Sequence, residues 1–318
     1  MNLMFLGTSA GRPTTERNVT SIALLFPEHQ HRYWLFDAGE GTQHQMLRAK
    51  LKLNKLERIF ITHLHGDHLY GLPGLLSSRT YYEGAGKLSV YGPPGLRAYL
   101  ACVFLQSGAH LNYELEIVEI APGPIAIGDD DFDVVADELV HRVRSFGYRV
   151  AERPRPGPLN LELLAALGLR PGPLFGKLKR GEDVTLPNGE TLRAAEAVGP
   201  PAPGRIVTIL GDTTPCEAVG NLARDADLLV HEATFGAGLE EKAAAYGHST
   251  MLQAAQAAAD AGVGRLAVTH ISGRYDDAAV AQLLDEVRDV FPDIVAASDF
   301  LELCVAPRGT KRDRTREP

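Results

Sequence analysis

Short apolar runs recur along the whole chain, and several are apolar at consecutive rather than alternate positions. LMFLG (3–7), IALLF (22–26), YWLFD (33–37), RIFIT (58–62), RIVTILGD (205–212), DLLVHEA (227–233), RLAVTHI (265–271) and LELCVA (301–306) have strand length and the pattern of strands buried on both faces. Between them the period lengthens to that of a helix. STMLQAAQAAADAG (249–262) predicts a helix that starts at Ser249/Thr250 and stops at a Gly, and DDAAVAQLLDEVRDVF (276–291) predicts one that starts at an Asp cap and ends before Pro292. GLPGLLSSRTYY (71–82) predicts a third, directly after RIFIT. Strands and helices mixed along the length imply sheets covered by helices.

One stretch breaks this rhythm. Residues 153–176 hold nine Pro or Gly and predict an extended arm, with a short helix at LNLELLAALG inside it. Composition adds exclusions. With 45% apolar and 23% charged residues, the chain reads as a soluble globular protein. No run approaches the ~18 apolar residues of a membrane span. MNLMFLGTSAG reads as a first strand entering a Gly turn, not as a signal peptide. Cys102, Cys216 and Cys304 are far apart and outside any CxxC spacing, which argues against disulfides and thiolate metal sites and for a cytoplasmic setting.

The chemistry concentrates at strand ends. ITHLHGDH (61–68) follows a predicted strand, so its polar residues fall on a connecting turn. His63 and His65 can point to one side of an extended backbone, and Gly66 lets the chain reverse so that Asp67 and His68 face back. Imidazole and carboxylate without sulfur suit a borderline divalent metal, zinc ahead of manganese or iron. Four such groups exceed what one catalytic ion with an open position needs, so the pattern points to two ions with further ligands from elsewhere. His141, Asp212 and His270, each at a predicted strand end, are the candidates, while His29, His31 and His110 read as surface residues.

HLHGDH with a distant His, an Asp after an apolar strand and a final His resembles the metallo-β-lactamase superfamily. Within it, FLGTSAGRPTTERN, FDAGEGTQHQ, GPLFGKLKRG, LVHEAT, YGHST and VTHISGRYDD resemble the ribonuclease Z family over residues 1–306. The resemblance implies an αββα sandwich as one domain over 1–306, an inserted RNA-binding arm at about 153–180, and a disordered tail at 307–318. It implies two zinc ions per chain: His63, His65 and His141 on one, Asp67, His68 and His270 on the other, with Asp212 bridging. Asp67 is then both ligand and base, since its second oxygen can hold the proton of the attacking water. His248 suits protonation of the leaving alkoxide, with Glu232 fixing its tautomer, and His231 gives support behind them. In the PTTERN loop Thr15 stands where the family commonly has Lys, while Arg17 and Asn18 remain.

Charge bears on the substrate. The chain carries a net −8, yet residues 141–180 hold nine Arg or Lys against two Asp or Glu, a basic segment on an acidic body. Lys177, Lys179 and Arg180 are expected to grip an RNA backbone, and Arg17 and Arg274 to reach substrate phosphates. The reading that follows is a metal-dependent endoribonuclease, away from membranes, that cuts tRNA precursors on the 3′ side, leaving a 3′-hydroxyl on the tRNA and a 5′-phosphate on the trailer; the resemblance implies that it works as a homodimer. A hydrolase of small substrates would not need the basic segment, and an RNA-binding module with structural metals would not need the proton donor.

Overall fold

Tyr33 and Leu35 face one way along their strand and Trp34 and Phe36 the other, and all four are buried. This two-sided burial sets the architecture. The protein is described here by a computed structural model covering residues 1–29, 31–186 and 188–307; of the tail expected at 307–318, all but Pro307 lies outside the described residues. The chain forms two units, one of Met1–Asp129, Asp133–Ala151 and the chain from Arg205, the other of Asp130–Phe132 with Glu152–Gly204.

The larger unit is built on two seven-stranded sheets. The first runs in the order Glu302–Cys304, Asn2–Gly7, Ser21–Phe26, Arg32–Phe36, Leu56–Phe60, Leu88–Gly92, Leu115–Glu119. The second runs Ile294–Ala296, Leu266–Thr269, Leu228–Glu232, Ile206–Leu210, Ser145–Glu152, Phe132–Leu139, Gly123–Ile125. On the first sheet Tyr33, Leu35 and Ile59 pack with Leu72, Leu75 and Leu76 of the helix Leu72–Arg79 and with Leu96 and Leu100 of the helix Leu96–Ser107. On its other face Phe36 and Phe60 meet Tyr148 of the second sheet, ring centroids 5.9 and 5.2 Å apart, and the Tyr148 hydroxyl donates to the Ile61 carbonyl at 2.6 Å. The second sheet's Leu229, Leu266 and Val268 share an apolar cluster with the helices Glu217–Ala223, Met251–Asp260 and Asp277–Val287. Helix, sheet, sheet, helix is the layering expected.

Each sheet carries a block of parallel strands: Arg32–Phe36 through Leu115–Glu119 in the first, and Ile206–Leu210 through Ile294–Ala296 in the second. The carboxyl ends of parallel strands leave backbone free to turn, which is where such sheets place ligand-handling residues. Asp37, Thr62, His63, Asp212 and His270 follow those ends. Both expected C-terminal helices are present. Thr250 and Gln253 make a reciprocal capping box at the head of Met251–Asp260. Asp276 accepts from Ala279 N–H at 2.8 Å to cap Asp277–Val287, which ends four residues short of Phe291.

The ligand turn differs from its expected form. Gly66 does not reverse the chain with a left-handed residue; it opens a single helical turn, Gly66–Leu69, that carries Asp67 and His68. The absence of a side chain here leaves room for a neighbouring ring instead. A Cβ at this position would lie 2.3 Å from the Tyr70 ring.

The insert is also more than an extended arm. Asn160 caps the helix Leu161–Ala166, Pro173 opens the helix Pro173–Lys179, and a small hairpin pairs Val184–Thr185 with Thr191–Leu192. Leu164, Leu169, Leu178, Val184, Leu186 and Leu192 bury a core of their own. Only its stalk fits the Pro-rich expectation: Arg155 and Ala202 exchange backbone bonds of 3.1 and 3.0 Å, and Gly157 sits where a Cβ would be 2.2 Å from the Gly199 carbonyl oxygen. The leucine spacing, not the proline content, decides this fold. The charge expectation changes with the boundary, because the unit holds seven Arg or Lys against eight Asp or Glu. Arg142, Arg144 and Arg149 belong to the larger unit, so the basic character is local to the helix Pro173–Lys179 and Arg180.

Among the described residues no helix is long and apolar enough to cross a membrane, and the three cysteines are free.

Candidate metal centre and active site

Seven side chains from four strand ends and one helical turn converge. Ligand atoms of His63, His65, His141 and Asp212 lie within 4.8 Å of one another, as do those of Asp67, His68 and His270. Asp212 faces both sets: Oδ2 is 3.7 Å from His63 Nε2, 4.0 Å from His141 Nε2 and 3.4 Å from His270 Nε2, while Oδ1 is 3.4 Å from His68 Nε2. Within the sets, His63 Nε2 is 3.1 Å and His141 Nε2 3.3 Å from His65 Nδ1, and His270 Nε2 is 3.3 Å from Asp67 Oδ2 and from His68 Nε2.

The protons behind these contacts identify what the cluster attracts. His141 Nδ1–H donates to the Gly247 carbonyl at 2.6 Å, and His68 Nδ1–H to Asp37 Oδ2 at 2.7 Å. The Thr62 hydroxyl gives its single proton to Asp37 Oδ2, at 2.8 Å, and so accepts from His63 Nδ1–H at 3.0 Å. The Thr234 hydroxyl gives its proton to Glu232 Oε2, also at 2.8 Å, and accepts from His270 Nδ1–H at the same distance. Four imidazoles are thereby held in the tautomer whose Nε2 is a bare lone pair. Four lone pairs and two carboxylates facing one another repel unless positive charge lies between them. A tetrahedral ion with ligand bonds of about 2.0–2.1 Å would space its ligand atoms about 3.3–3.4 Å apart, and the separations here run from 3.1 to 4.0 Å. The donor set fits a divalent metal.

Titration points the same way. Burial pushes His63, His65 and His141 below the ordinary imidazole range, so they are neutral. Burial would raise Asp67 and Asp212, but the surrounding histidines outweigh it and hold both carboxyls below their usual range. Burial would lower His68, but Asp212 and Asp37 outweigh it and raise it well above the usual value. A proton and a metal ion compete for that same Nε2.

One candidate ligand and one residue that supports a ligand carry backbone strain. His270 and Asp37 hold φ of 56° and 57°, a left-handed conformation that costs a non-glycine residue on the order of 1–3 kcal/mol. Each turns a side chain inward directly past its strand.

Beside the cluster, His248 Nδ1 is 2.9 Å from Glu232 Oε1, with its side chain 16% exposed. Burial would lower its pKa, but Glu232 outweighs burial and raises it. Glu232 itself is saturated by donors: Thr213 N–H, Ser249 N–H and His248 at Oε1, Thr234 N–H and hydroxyl at Oε2. His248 Nδ1 is also the atom nearest Asp212, at 3.8 Å. Because that nitrogen is committed to Glu232, His248 is unsuited to ligation through it and keeps Nε2 for chemistry.

The structure places the remaining expected residues unevenly. Arg274 is exposed, its guanidinium 4.8 Å from the Phe235 ring, which in turn lies 6.2 Å from His248. Lys177, Lys179 and Arg180 are exposed on the insert, Arg180 paired with Glu182 at 2.6 Å. Arg17 is placed otherwise than expected. Its side chain is 10% exposed and is spent on Thr8 Oγ1, the Ala297 carbonyl and Asp277 Oδ1 at 2.9, 2.6 and 3.1 Å. It braces the first loop, whose Gly11 N–H donates to Asp67 Oδ2 at 2.8 Å. His231 is buried and donates Nδ1–H to the Glu232 carbonyl at 2.7 Å, apart from the converging ligand atoms. Sequence reasoning missed Asp37, Thr62 and Thr234. Asp37 closes YWLFD, so a carboxylate ending an apolar strand was the one signal available.

Comparison with known proteins follows the same lines. Residues 1–119 match the family model described as Anti-Pycsar protein Apyc1. Over 302 residues the chain is 52% identical to ribonuclease Z of Bacillus licheniformis, covering 95% of this chain and 98% of that one. Among solved structures it is similar to human tRNase Z, short form, with a TM-score of 0.71 and 28% identity over 96% of this chain and 100% of that one. It is also similar to the metallo-beta-lactamase fold protein YhfI from Bacillus subtilis, at a TM-score of 0.64 and 16% identity over 95% and 98% of the two chains, a likeness of fold.

Proposed function

The chain belongs to the ribonuclease Z family, and on that premise we propose how its site cuts RNA. It is a metal-dependent endoribonuclease of tRNA 3′ processing on a metallo-β-lactamase fold. The observation that carries the mechanism is the set of four Nε2 lone pairs aimed, with Asp67 and Asp212, into one space. His63, His65 and His141 would hold one ion and Asp67, His68 and His270 the other, with Asp212 offering an oxygen to each set; zinc suits this donor set ahead of manganese or iron. When bound, such a pair lowers the pKa of a water and neutralises charge growing on the phosphoryl oxygens. The chain's own groups do the rest. Asp67 has Oδ2 turned to the ligand cluster and to Gly11 N–H, and its other oxygen is free to take the proton of the attacking water and aim its lone pair. His248, held through Nδ1 by Glu232, delivers a proton from Nε2 to the leaving 3′-oxygen of the tRNA. The products are a 3′-hydroxyl on the tRNA and a 5′-phosphate on the trailer.

Arg274, stacked at Phe235, takes a phosphate beside the scissile one, and Lys177, Lys179 and Arg180 hold the backbone of the folded RNA, one subunit's insert serving the partner's site in a homodimer. The setting is cytoplasmic. Cleavage of a tRNA precursor with and without chelator, beside bis(p-nitrophenyl) phosphate, tests the reading. We expect both activities to vanish together on metal removal and return with zinc; cleavage of the precursor that survives full metal removal would overturn it.

A further inference from the structure

The turn that carries Asp67 and His68 is finished by a residue that the cleavage chemistry does not use. Tyr70 follows Gly66–Leu69, and its N–H donates to the Gly66 carbonyl at 2.9 Å. Its ring occupies the space that a side chain at 66 would need, with Cε2, Cδ2 and Cζ at 2.3, 2.6 and 2.7 Å from that Cβ position. Gly66 has no left-handed backbone, and its missing side chain leaves the room in which this ring lies. Yet Tyr70 is 65% exposed. An exposed tyrosine is ordinary by itself, and Tyr81, at 88%, is one. Tyr70 differs in being seated against the backbone between two candidate metal ligands, His65 and Asp67. A ring already resting against the backbone there loses less freedom than one standing in solvent when something flat lies on it.

We propose that Tyr70 is a stacking platform for one unpaired nucleobase adjoining the scissile phosphate. This rests on the ribonuclease reading above and adds a binding subsite to it. The junction between a tRNA and its trailer is single-stranded, and unstacked bases seek aromatic faces whatever their identity, because every base has a π surface. Charge at the metal cluster attracts a phosphate but leaves the strand free to rotate about it. A base pinned one helical turn from Asp67 removes that rotation and orients the bond to be broken. The tyrosine hydroxyl has no part in this, so phenylalanine serves equally.

The test uses the full chain and the variants Tyr70→Ala, Tyr70→Leu, Tyr70→Phe and Tyr81→Ala. Substrates are a tRNA precursor, the same precursor abasic at the nucleotide on either side of the cleaved bond, and bis(p-nitrophenyl) phosphate. Tyr70→Leu keeps bulk against Gly66 without a π face, which guards against a variant that merely loosens the turn. We expect Tyr70→Ala and Tyr70→Leu to lower kcat/KM on the intact precursor by about 10- to 100-fold. The same variants should lose nothing further on one of the abasic precursors and leave the small diester untouched, while Tyr70→Phe and Tyr81→Ala match the parent. Equal losses on intact and abasic precursors, full activity of Tyr70→Leu, or a loss on the small diester would each overturn the proposal. So would a change of oligomeric state in Tyr70→Ala by sedimentation, since the face would then belong to a second copy of the chain. Failure of the ribonuclease reading is distinguishable, because the parent itself would leave the precursor uncut.

Discussion

The converging cluster and the basic helix of the insert put polar residues to opposite uses. Around the cluster each imidazole proton that can be traced is accounted for, Glu232 accepts five hydrogen bonds, and Asp37 serves His68 and Thr62 at once. On the helix Pro173–Lys179 the cationic side chains stand in solvent. Buried polar groups gain geometry from one another and suffer heavily when one is removed, whereas exposed charges act through a screened field and are individually expendable. Under the proposed function, catalysis accordingly belongs to the first region and graded affinity to the second.

Asp212→Ala strikes the first region hardest. Removing the carboxylate common to both ligand sets should abolish cleavage, a fall of more than about 1,000-fold, and lower the metal content read by elemental analysis, which the two-ion reading puts at about two per chain in the parent. Full activity in protein holding one ion or none would break the two-ion reading. His248→Ala should slow the chemical step by about 100-fold or more, with RNA affinity and metal content near the parent's. Metal loss in that variant would move His248 into the ligand set.

Asp37→Asn sharpens the contrast, because the substituted residue touches no substrate. An amide at this position can offer its N–H₂ to His68 Nδ1, favouring the tautomer with a proton on Nε2. Metal affinity should fall about 10- to 100-fold in competition with a chelator, while the fold, read by circular dichroism, persists. The smallest effect is expected on the insert. Replacing Lys177, Lys179 and Arg180 with Ala should raise KM for the precursor roughly tenfold and flatten the dependence of log affinity on log salt by somewhat less than one unit for each phosphate no longer gripped. Hydrolysis of bis(p-nitrophenyl) phosphate should not change. An equal fall in both activities would mean that the two regions are not separable as described.

What the sequence disclosed follows the same division. Ligand types leave a local trace, since HxHxDH and a His or Asp after an apolar run are visible in one dimension. All eight apolar runs read as strands are strands. The six others longer than two residues in the two main sheets are quieter. Leu115–Glu119 and Phe132–Leu139 interleave acids with apolar residues, and Gly123–Ile125 contains a Pro. Thr62 and Thr234 could not be found, because a threonine that accepts an imidazole proton looks like any strand-end threonine until its partner is in place. Arg17 misled for the opposite reason. Beside a phosphate-handling site an Arg suggests a ligand contact, but its partners, Asp277 and the Ala297 carbonyl, lie some 260 and 280 positions away. The insert hid its core behind nine Pro and Gly, although its leucines recur at spacings a small helical unit can use.

The cluster gathers its seven residues from positions 63 to 270, and the strand Asn2–Gly7 pairs with Glu302–Cys304. This has a meaning in time. A chain emerging residue by residue from the ribosome displays HLHGDH when about a fifth of it has been made and completes one ligand set at Asp212, yet it lacks the second set until His270 arrives and a closed first sheet until residue 304. Until then the unfinished polypeptide holds only part of the cluster. The order of the ligands along the chain thus makes the assembled site a property of the nearly finished polypeptide.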